Sequence, residues 1–123
     1  MSRAAKKEIL RVIDDYRAGR QGADGVLLRS AFHMKAVVIG YLGSRLIMAD
    51  PPLFIEEITS APSVKSNSDD YGFSVDKVFI QGDTASVIVT ETGLPGGLNL
   101  VDYFHLIYDD GMWSIISMLF TTY

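Results

Sequence analysis

Apolar and polar positions in the first half of the chain follow a helical period that glycine and aspartate interrupt. In the first such stripe, four apolar residues recur at helical spacing: Ile9, Val12, Ile13 and Tyr16. Ser2 is placed to cap the start of this helix, and Gly19 and Gly22 predict its end.

Two further helix starts are visible. Asp24 is an N-cap candidate before a stretch of about two turns whose apolar residues are Val26, Leu27, Leu28, Ala31 and Phe32. The clearest start is Asp50 followed by Pro51, because proline at the first helical position loses no hydrogen bond. Three apolar residues then share one face: Phe54, Ile55 and Ile58. Pro62 marks the exit from this third helix.

Runs rich in β-branched and aromatic residues predict strands in the rest of the chain. Residues 36–41 and 44–48 predict a hairpin that turns at Leu42-Gly43, and the polar stretch 63–70 predicts a loop or a weak edge strand. A meander of four long strands follows: 71–80, 84–92, 98–108 and 112–122. The order helix, helix, hairpin, helix, meander predicts a single α+β domain over residues 1–123.

The last predicted hairpin is apolar on both of its faces. A two-residue turn at Asp110-Gly111 with an unbroken register gives the pairs Asp109 with Met112, Asp102 with Leu119 and His105 with Ile116. One face then carries Leu100, Asp102, Phe104, Leu106, Trp113, Ile115, Ser117 and Leu119. The other face carries Val101, Tyr103, His105, Ile107, Ile116, Met118 and Phe120. Since three short helices cover only one face, we expect a second copy of the chain to cover the other, giving a homodimer through the convex face of the sheet.

Composition excludes several classes of protein. The 123 residues suit one domain, and 48% hydrophobic residues with 21% charged residues exclude a disordered chain. A net charge of −4, with no basic run longer than Lys6-Lys7, argues against a nucleic-acid partner. The absence of cysteine removes disulfides and thiolate chemistry, and no apolar run is long enough for a membrane span or a signal peptide. We therefore expect a cytoplasmic protein with no membrane partner.

The order of elements resembles the nuclear transport factor 2-like superfamily over nearly the whole chain. Within it, the segment from Ala31-Phe32-His33 through residues 36–40 to Gly43 and Leu46 is similar to the "FHPxA…G" pattern of the putative lumazine-binding (SnoaL-like) branch. Met34 stands where that branch usually has proline.

A second motif supports the same resemblance. Asp102-Tyr103-Phe104, followed by the sequence DGMWSI at residues 110–115, is similar to the "DYL…DGxWxI" ending of the branch. Met118 stands where many members have lysine. The resemblance implies a cone-shaped, curved antiparallel sheet, covered on its concave face by three helices around an apolar cavity, and dimers that form through the sheet. It implies no particular reaction and no cofactor, because a shared fold does not fix a function.

Asp102 is the main candidate for catalysis. Its neighbours on the same predicted face are apolar, and such surroundings raise the pKa of a carboxyl group towards the range of a general base. The alternative is that Asp102 accepts a structural hydrogen bond that orders the sheet. His33 either pairs with Asp102 across the cavity or satisfies the end of the second helix. His105 lies on the opposite predicted face from Asp102, so no metal site is expected.

Aromatic residues supply the candidate ligand-binding surface. They are Tyr16, Phe32, Tyr41, Phe54, Phe73, Phe104 and Trp113. Aromatic rings with a few polar tips suit a small-molecule pocket, although the same residues also suit a filled core.

Three functional hypotheses follow from the sequence. The first is a binding domain whose cavity takes a small apolar or aromatic molecule. The second is an isomerase, cyclase or dehydratase acting on a neutral carbonyl substrate, with Asp102 as base and His33 or Tyr41 holding the oxyanion. The third is a module that only dimerises and recruits another protein.

Overall fold

A computed structural model describes residues 3–60 and 71–123 of the chain. Their helices and strands follow the order that the sequence predicts. The helices are α1 (Arg3–Gly22), α2 (Gly25–Ala31) and α3 (Pro51–Ser60). The strands are β1 (Phe32–Leu42), β2 (Arg45–Ala49), β3 (Gly72–Gln81), β4 (Thr84–Leu94), β5 (Leu98–Asp109) and β6 (Met112–Thr122), with a short 3₁₀ turn at Pro95–Gly97. Ser2, Pro62 and residues 63–70, which carry three of the predictions, lie outside the described residues.

Both predicted N-caps within the described residues are formed. The Asp24 carboxylate accepts a hydrogen bond from the Leu27 amide at 3.1 Å, and Asp50 accepts one from the Leu53 amide at 3.0 Å. Each cap satisfies an amide that has no partner inside its helix. The starts of α2 and α3 are therefore set by the aspartates that the sequence shows.

The six strands form one curved sheet in the order β2-β1-β6-β5-β4-β3. The predicted meander and hairpin are confirmed, and all neighbouring strands are antiparallel except β1 and β6, which are parallel. The sheet is therefore mixed rather than purely antiparallel. The parallel pair arises because the chain passes from β1 through β2, α3 and the other strands of the meander before it returns as β6, which lies beside β1 within the sheet.

The first helix ends at Gly22, the second of the two glycines that predict its end, and the second helix ends at Ala31, one residue before the predicted Phe32. Helix α1 continues through Gly19 to Gly22, and Gly19 allows α2 to approach closely, since a Cβ there would lie 2.8 Å from Leu28 Cγ. Phe32 belongs to β1 rather than to α2, and it pairs with Ile115 of β6. In both places a tertiary contact decides the local structure.

The predicted register of the last hairpin is correct for its first four pairs only. Asp109 pairs with Met112, but a bulge at Ile116 shifts the register, so that Asp102 lies opposite Phe120 instead of Leu119. The shift also places His105 opposite Ser117 instead of Ile116. Beyond the bulge the predicted faces of β6 are exchanged: Met118 and Phe120 point inward with Asp102, and Ser117 and Leu119 point outward.

The three helices cover the inner, concave face of the sheet, where the core lies. Tyr16 and Ile9 of α1 pack with Leu28 of α2 against Phe104 and other inward residues of the strands, and all four are fully buried. The outer face carries no helix among the described residues. No helix in residues 3–60 or 71–123 is both long and apolar enough to cross a bilayer.

Candidate functional site

A mostly apolar cavity of about 200 Å³ opens beside the inner face of the sheet. Its walls come from α3, the β1–β2 hairpin, the turn between β4 and β5, and the last residues of β6. Its apolar lining includes Leu42, Ile47, Phe54, Ile58, Leu100 and Phe120. Arg20 and Glu57 are the charged residues of the described chain that line it.

Arg20 reaches this cavity from the inward side of α1. It lies four residues after Tyr16, so it continues the buried stripe of the helix, and its side chain is only 14% exposed. Nη1 donates a hydrogen bond to the Tyr16 hydroxyl at 3.0 Å, and Nε lies 3.4 Å from Glu91 Oε1. The guanidinium carbon is 5.9 Å from the centroid of the Phe54 ring, which adds a cation–π contact. These contacts fix a cationic group at the cavity wall.

Two fully buried carboxylates lie behind Arg20 on neighbouring strands. In the β4–β5 ladder Glu91 pairs with Leu100 and Val89 pairs with Asp102, so Glu91 and Asp102 are diagonal neighbours on the inner face. The Tyr71 hydroxyl donates to Glu91 Oε1 at 2.8 Å. Glu91 Oε2 and both oxygens of Asp102 have no hydrogen-bond partner among the described residues. The cluster is therefore short of donors when both carboxyl groups are ionised.

The protonation of Asp102 resolves this shortage. Burial, followed by the negative charge of Glu91, raises the pKa of Asp102 well above its ordinary value, while Arg20 acts in the opposite direction. Protonated Asp102 has a hydrogen to donate, and Glu91 lies within its reach. Burial also raises the pKa of Tyr16 and of Tyr71, so both phenols stay neutral donors. Burial lowers the pKa of Arg20, but the neighbouring Tyr16, Glu91 and Asp102 together raise it by a larger amount. The guanidinium therefore remains a cation.

Most of the predicted pocket aromatics form a core cluster instead of lining the cavity. The Tyr16 ring centroid lies 5.0 Å from that of Phe104, 6.1 Å from that of Phe32 and 6.3 Å from that of Phe73. Phe54 is the predicted aromatic that does line the cavity, where its ring stacks on Phe120 at 6.4 Å. The edge-to-face packing around Tyr16 fills the space that a ligand would need there.

Tyr41 and Trp113 lie away from the cavity. Tyr41 follows the inward Gly40 on β1, so its side chain points to the outer face, where it is 47% exposed. Trp113 is buried near the β5–β6 turn, with its ring 5.6 Å from that of Tyr108. Neither residue borders the space where a ligand fits.

His33 pairs with a different aspartate from the one that the sequence suggests. Its Nε2 lies 2.8 Å from Asp109 Oδ2, and its Nδ1 accepts a hydrogen bond from the Lys35 amide at 3.0 Å. His33 is the second residue of β1, so it does not satisfy the end of α2. Its partner Asp109 is the last residue of β5, seven residues beyond Asp102, so His33 does not pair with Asp102. His105 lies on the outer face, and the described residues contain no group of three His, Asp or Glu side chains placed to hold a metal ion.

A family model described as putative lumazine-binding matches residues 4–121 of the chain. The chain belongs to this putative lumazine-binding family. The match covers both motifs that carry the resemblance. No curated protein matches the chain.

Solved structures show that the putative lumazine-binding chain shares the fold of nuclear transport factor 2-like proteins. A protein of unknown function from Silicibacter pomeroyi is 20% identical, with a TM-score of 0.86 and full coverage of both chains. A second one, from Methylobacillus flagellatus, is 22% identical, with a TM-score of 0.84 over 100% of this chain and 95% of that one. A putative ketosteroid isomerase from Shewanella frigidimarina is 15% identical, with a TM-score of 0.65 over 92% and 94% of the two chains. At these identities the likeness establishes the shared fold.

Within this family member, sequence reasoning missed Arg20, Glu91 and Tyr71. Two of them carry a visible signal. Arg20 falls on the apolar stripe of α1, and Glu91 continues the inward alternation of Val87 and Val89 in β4. A charged residue at an inward position needs a partner of opposite charge, and Arg20 and Glu91 supply this for each other across the core. Tyr71 gives no such signal, since it stands just before β3 begins.

Proposed function

We propose that this chain is a small-molecule-binding domain that takes a small, largely apolar ligand into the cavity beneath α3. The observation that carries the proposal is an apolar cavity with a fixed, buried guanidinium in its wall. Binding sites in proteins combine apolar walls with a few oriented polar groups in this way. The cavity is also larger than one of about 150 Å³ that holds benzene, so about one substituted ring fits.

Binding is favoured over proton-transfer catalysis because of the position of Asp102. This carboxyl group faces inward, as a catalytic base would, but it is fully buried and does not border the cavity. In its protonated form it is also unable to accept the proton that a general base removes. His33 and Tyr41, the proposed oxyanion groups, lie away from it.

A matched pair of tryptophan variants on α3 tests the proposal. Ile58 lines the cavity, whereas Leu53 on the same helix is 48% exposed and does not. Single-ring aromatic compounds are titrated into ¹⁵N-labelled protein, and shifts of amides around the cavity are followed. We expect Ile58→Trp to abolish those shifts by filling the cavity, and Leu53→Trp to retain them. Failure of every such compound to shift the cavity amides of the unmodified chain would refute the proposal.

We also propose that the domain works as a homodimer through the outer face of its sheet. Five residues in register across β2, β1, β6, β5 and β4 form an apolar row, called here the outer row: Met48, Ile39, Leu119, Tyr103 and Ile88. Met48 is 67% and Leu119 50% exposed in the single chain. These five residues are uncharged, and the next residue in register, Lys77, lies on the edge strand β3, so a two-fold axis through the centre of the row brings two copies together without like-charge repulsion there.

A further inference from the structure

One guanidinium nitrogen of Arg20, Nη2, has neither a hydrogen bond nor an ion pair among the described residues. Nη1 donates to the Tyr16 hydroxyl, and Nε faces Glu91. Nε makes this ion-pair contact without a hydrogen bond, whereas Nη2 makes neither kind of contact with any residue within 3–60 or 71–123. Because Arg20 lines the cavity, Nη2 is the nitrogen that remains for a hydrogen-bond acceptor on a bound molecule.

The charges around Arg20 favour an uncharged acceptor. Glu91 already forms the ion pair that balances the guanidinium, and Glu57 adds a second negative side chain to the cavity lining. A ligand carboxylate would therefore bring a further negative charge to a site whose one cation is already paired with Glu91. Burying a charge without a free counter-charge is costly, whereas a neutral carbonyl oxygen accepts the same hydrogen bond without that cost.

The walls limit the rest of the ligand. Phe54, Leu100 and Phe120 present apolar surface to the space next to the guanidinium, and Met118, another lining residue, is an uncharged thioether. At about 200 Å³ the cavity is moderately larger than one of about 150 Å³ that holds benzene, so it suits a body of about one substituted ring. The acceptor must therefore sit on a small apolar body.

We propose that the ligand of this cavity is an uncharged carbonyl compound of about one ring, whose carbonyl oxygen accepts a hydrogen bond from Arg20 Nη2. This inference rests on the proposed function, since it requires that the cavity bind small molecules at all. Arg20 would then determine specificity, and the apolar wall would supply most of the contact area.

Three probes of similar size test this in the unmodified chain: acetophenone, ethylbenzene and benzoate. Dissociation constants come from NMR titrations that follow the amides around the cavity. We expect acetophenone to bind about tenfold more tightly than ethylbenzene, as a hydrogen bond to a charged group predicts, and more tightly than benzoate. Equal affinity for acetophenone and ethylbenzene overturns the inference but leaves the proposed function standing, and so does a preference for benzoate. If none of the three binds, the proposed function falls together with the inference.

Conservative variants of two arginines on α1 assign the donor. Arg20→Lys keeps the positive charge but replaces three nitrogens with one, which the contacts with Glu91 and the Tyr16 hydroxyl hold, so we expect the preference for acetophenone over ethylbenzene to disappear. Arg17→Lys is the control, because Arg17 pairs with Asp14 at 2.7 Å and with Gln21 at 2.8 Å outside the cavity. It should retain the full preference. A folded Arg20→Lys chain that still prefers acetophenone would assign the acceptor to another donor and overturn the proposal. The probe series in the unmodified chain decides the question even where this variant does not fold.

Discussion

At the scale of single residues, one proton on Asp102 explains how the buried polar cluster of Arg20, Tyr71, Glu91 and Asp102 is accommodated. The Asp102 carboxyl group lies among apolar side chains beside Glu91, and three of the four carboxylate oxygens in this pair have no partner in the described chain. A proton on Asp102 removes one negative charge and supplies one donor. It thereby leaves Glu91 to serve as the counter-charge of Arg20, which holds the guanidinium at the cavity wall.

The free energy of unfolding should therefore decrease as the pH rises. The pKa of Asp102 is higher in the folded chain than in the unfolded chain, where it is about 4, so the folded chain binds more protons above that pH. The contribution of Asp102 to the free energy of unfolding is fully present below about pH 4. It is lost as the pH rises through the pKa that Asp102 has in the folded chain, by at most ~1.4 kcal/mol per pH unit. In Asp102→Asn this decrease should be absent, and its stability at neutral pH should equal or exceed that of the unmodified chain. Urea unfolding followed by circular dichroism between about pH 5 and pH 9 measures both quantities.

Asp76 provides a control of opposite sign for that experiment. It is exposed on the outer face, and hydrogen bonds from Thr90 and Ser74 lower its pKa. Its contribution is therefore present above its unfolded pKa and is lost as the pH falls, so Asp76→Asn should leave the decrease at rising pH intact. The explanation of the cluster would be contradicted if Asp102→Asn kept the same dependence as Asp76→Asn.

At the scale of elements, the sequence predicts those features that depend on local pattern. The α1 stripe, the Asp24 and Asp50 caps and the four-strand meander are all found where the periodicity puts them. The bulge at Ile116 could not be predicted, because one extra residue in a strand leaves no local signal and yet exchanges every later side chain between the faces.

Long-range pairing also limits what the sequence could reveal about the site. The parallel pairing of β1 with β6 joins distant parts of the chain, and so does the ion pair between Arg20 of α1 and Glu91 of β4. Asp102 could be found because its apolar flanks are adjacent in sequence. Its relation to Arg20 and Glu91 could not, since it depends on how a helix lies across the sheet.

Two glycines of α1 separate helix propensity from helix packing. Alanine at either position should gain about 0.5–1 kcal/mol from reduced backbone freedom in the unfolded chain. At Gly22 nothing lies within 4 Å of the added Cβ, so Gly22→Ala should stabilise the fold by that amount. At Gly19 the Cβ meets the side chain and backbone of Leu28, which is fully buried, so Gly19→Ala should destabilise the fold by about 1–3 kcal/mol through overpacking. Urea unfolding of both variants measures the difference, and equal stabilisation would show that α1 and α2 are not in close contact.

At the scale of the whole molecule, the two faces of the sheet have different roles. The inner face is covered by α1, α2 and α3 and holds the buried cluster and the cavity wall. The outer row continues the apolar character of the sheet to a surface that no described element covers. In the proposed dimer the second copy removes this surface from water, and the two cavities remain separate because they open on the opposite side of each sheet.

The mass of the particle in solution tests this arrangement. Light scattering after size exclusion should give twice the 13.5 kDa of one chain at micromolar concentration. Leu119→Lys should give the monomer mass, because it places a charge at the centre of the outer row, opposite Tyr103 and beside Ile39, where a two-fold axis would bring two such charges together. Leu53→Lys is the control, since Leu53 is about as exposed but lies on α3, and it should remain a dimer. The monomeric Leu119→Lys chain should still bind ligand, because its substitution lies on the face opposite the cavity. A dimeric Leu119→Lys chain would show that the copies associate through a different surface, and a monomeric unmodified chain would show that the outer row is exposed to solvent.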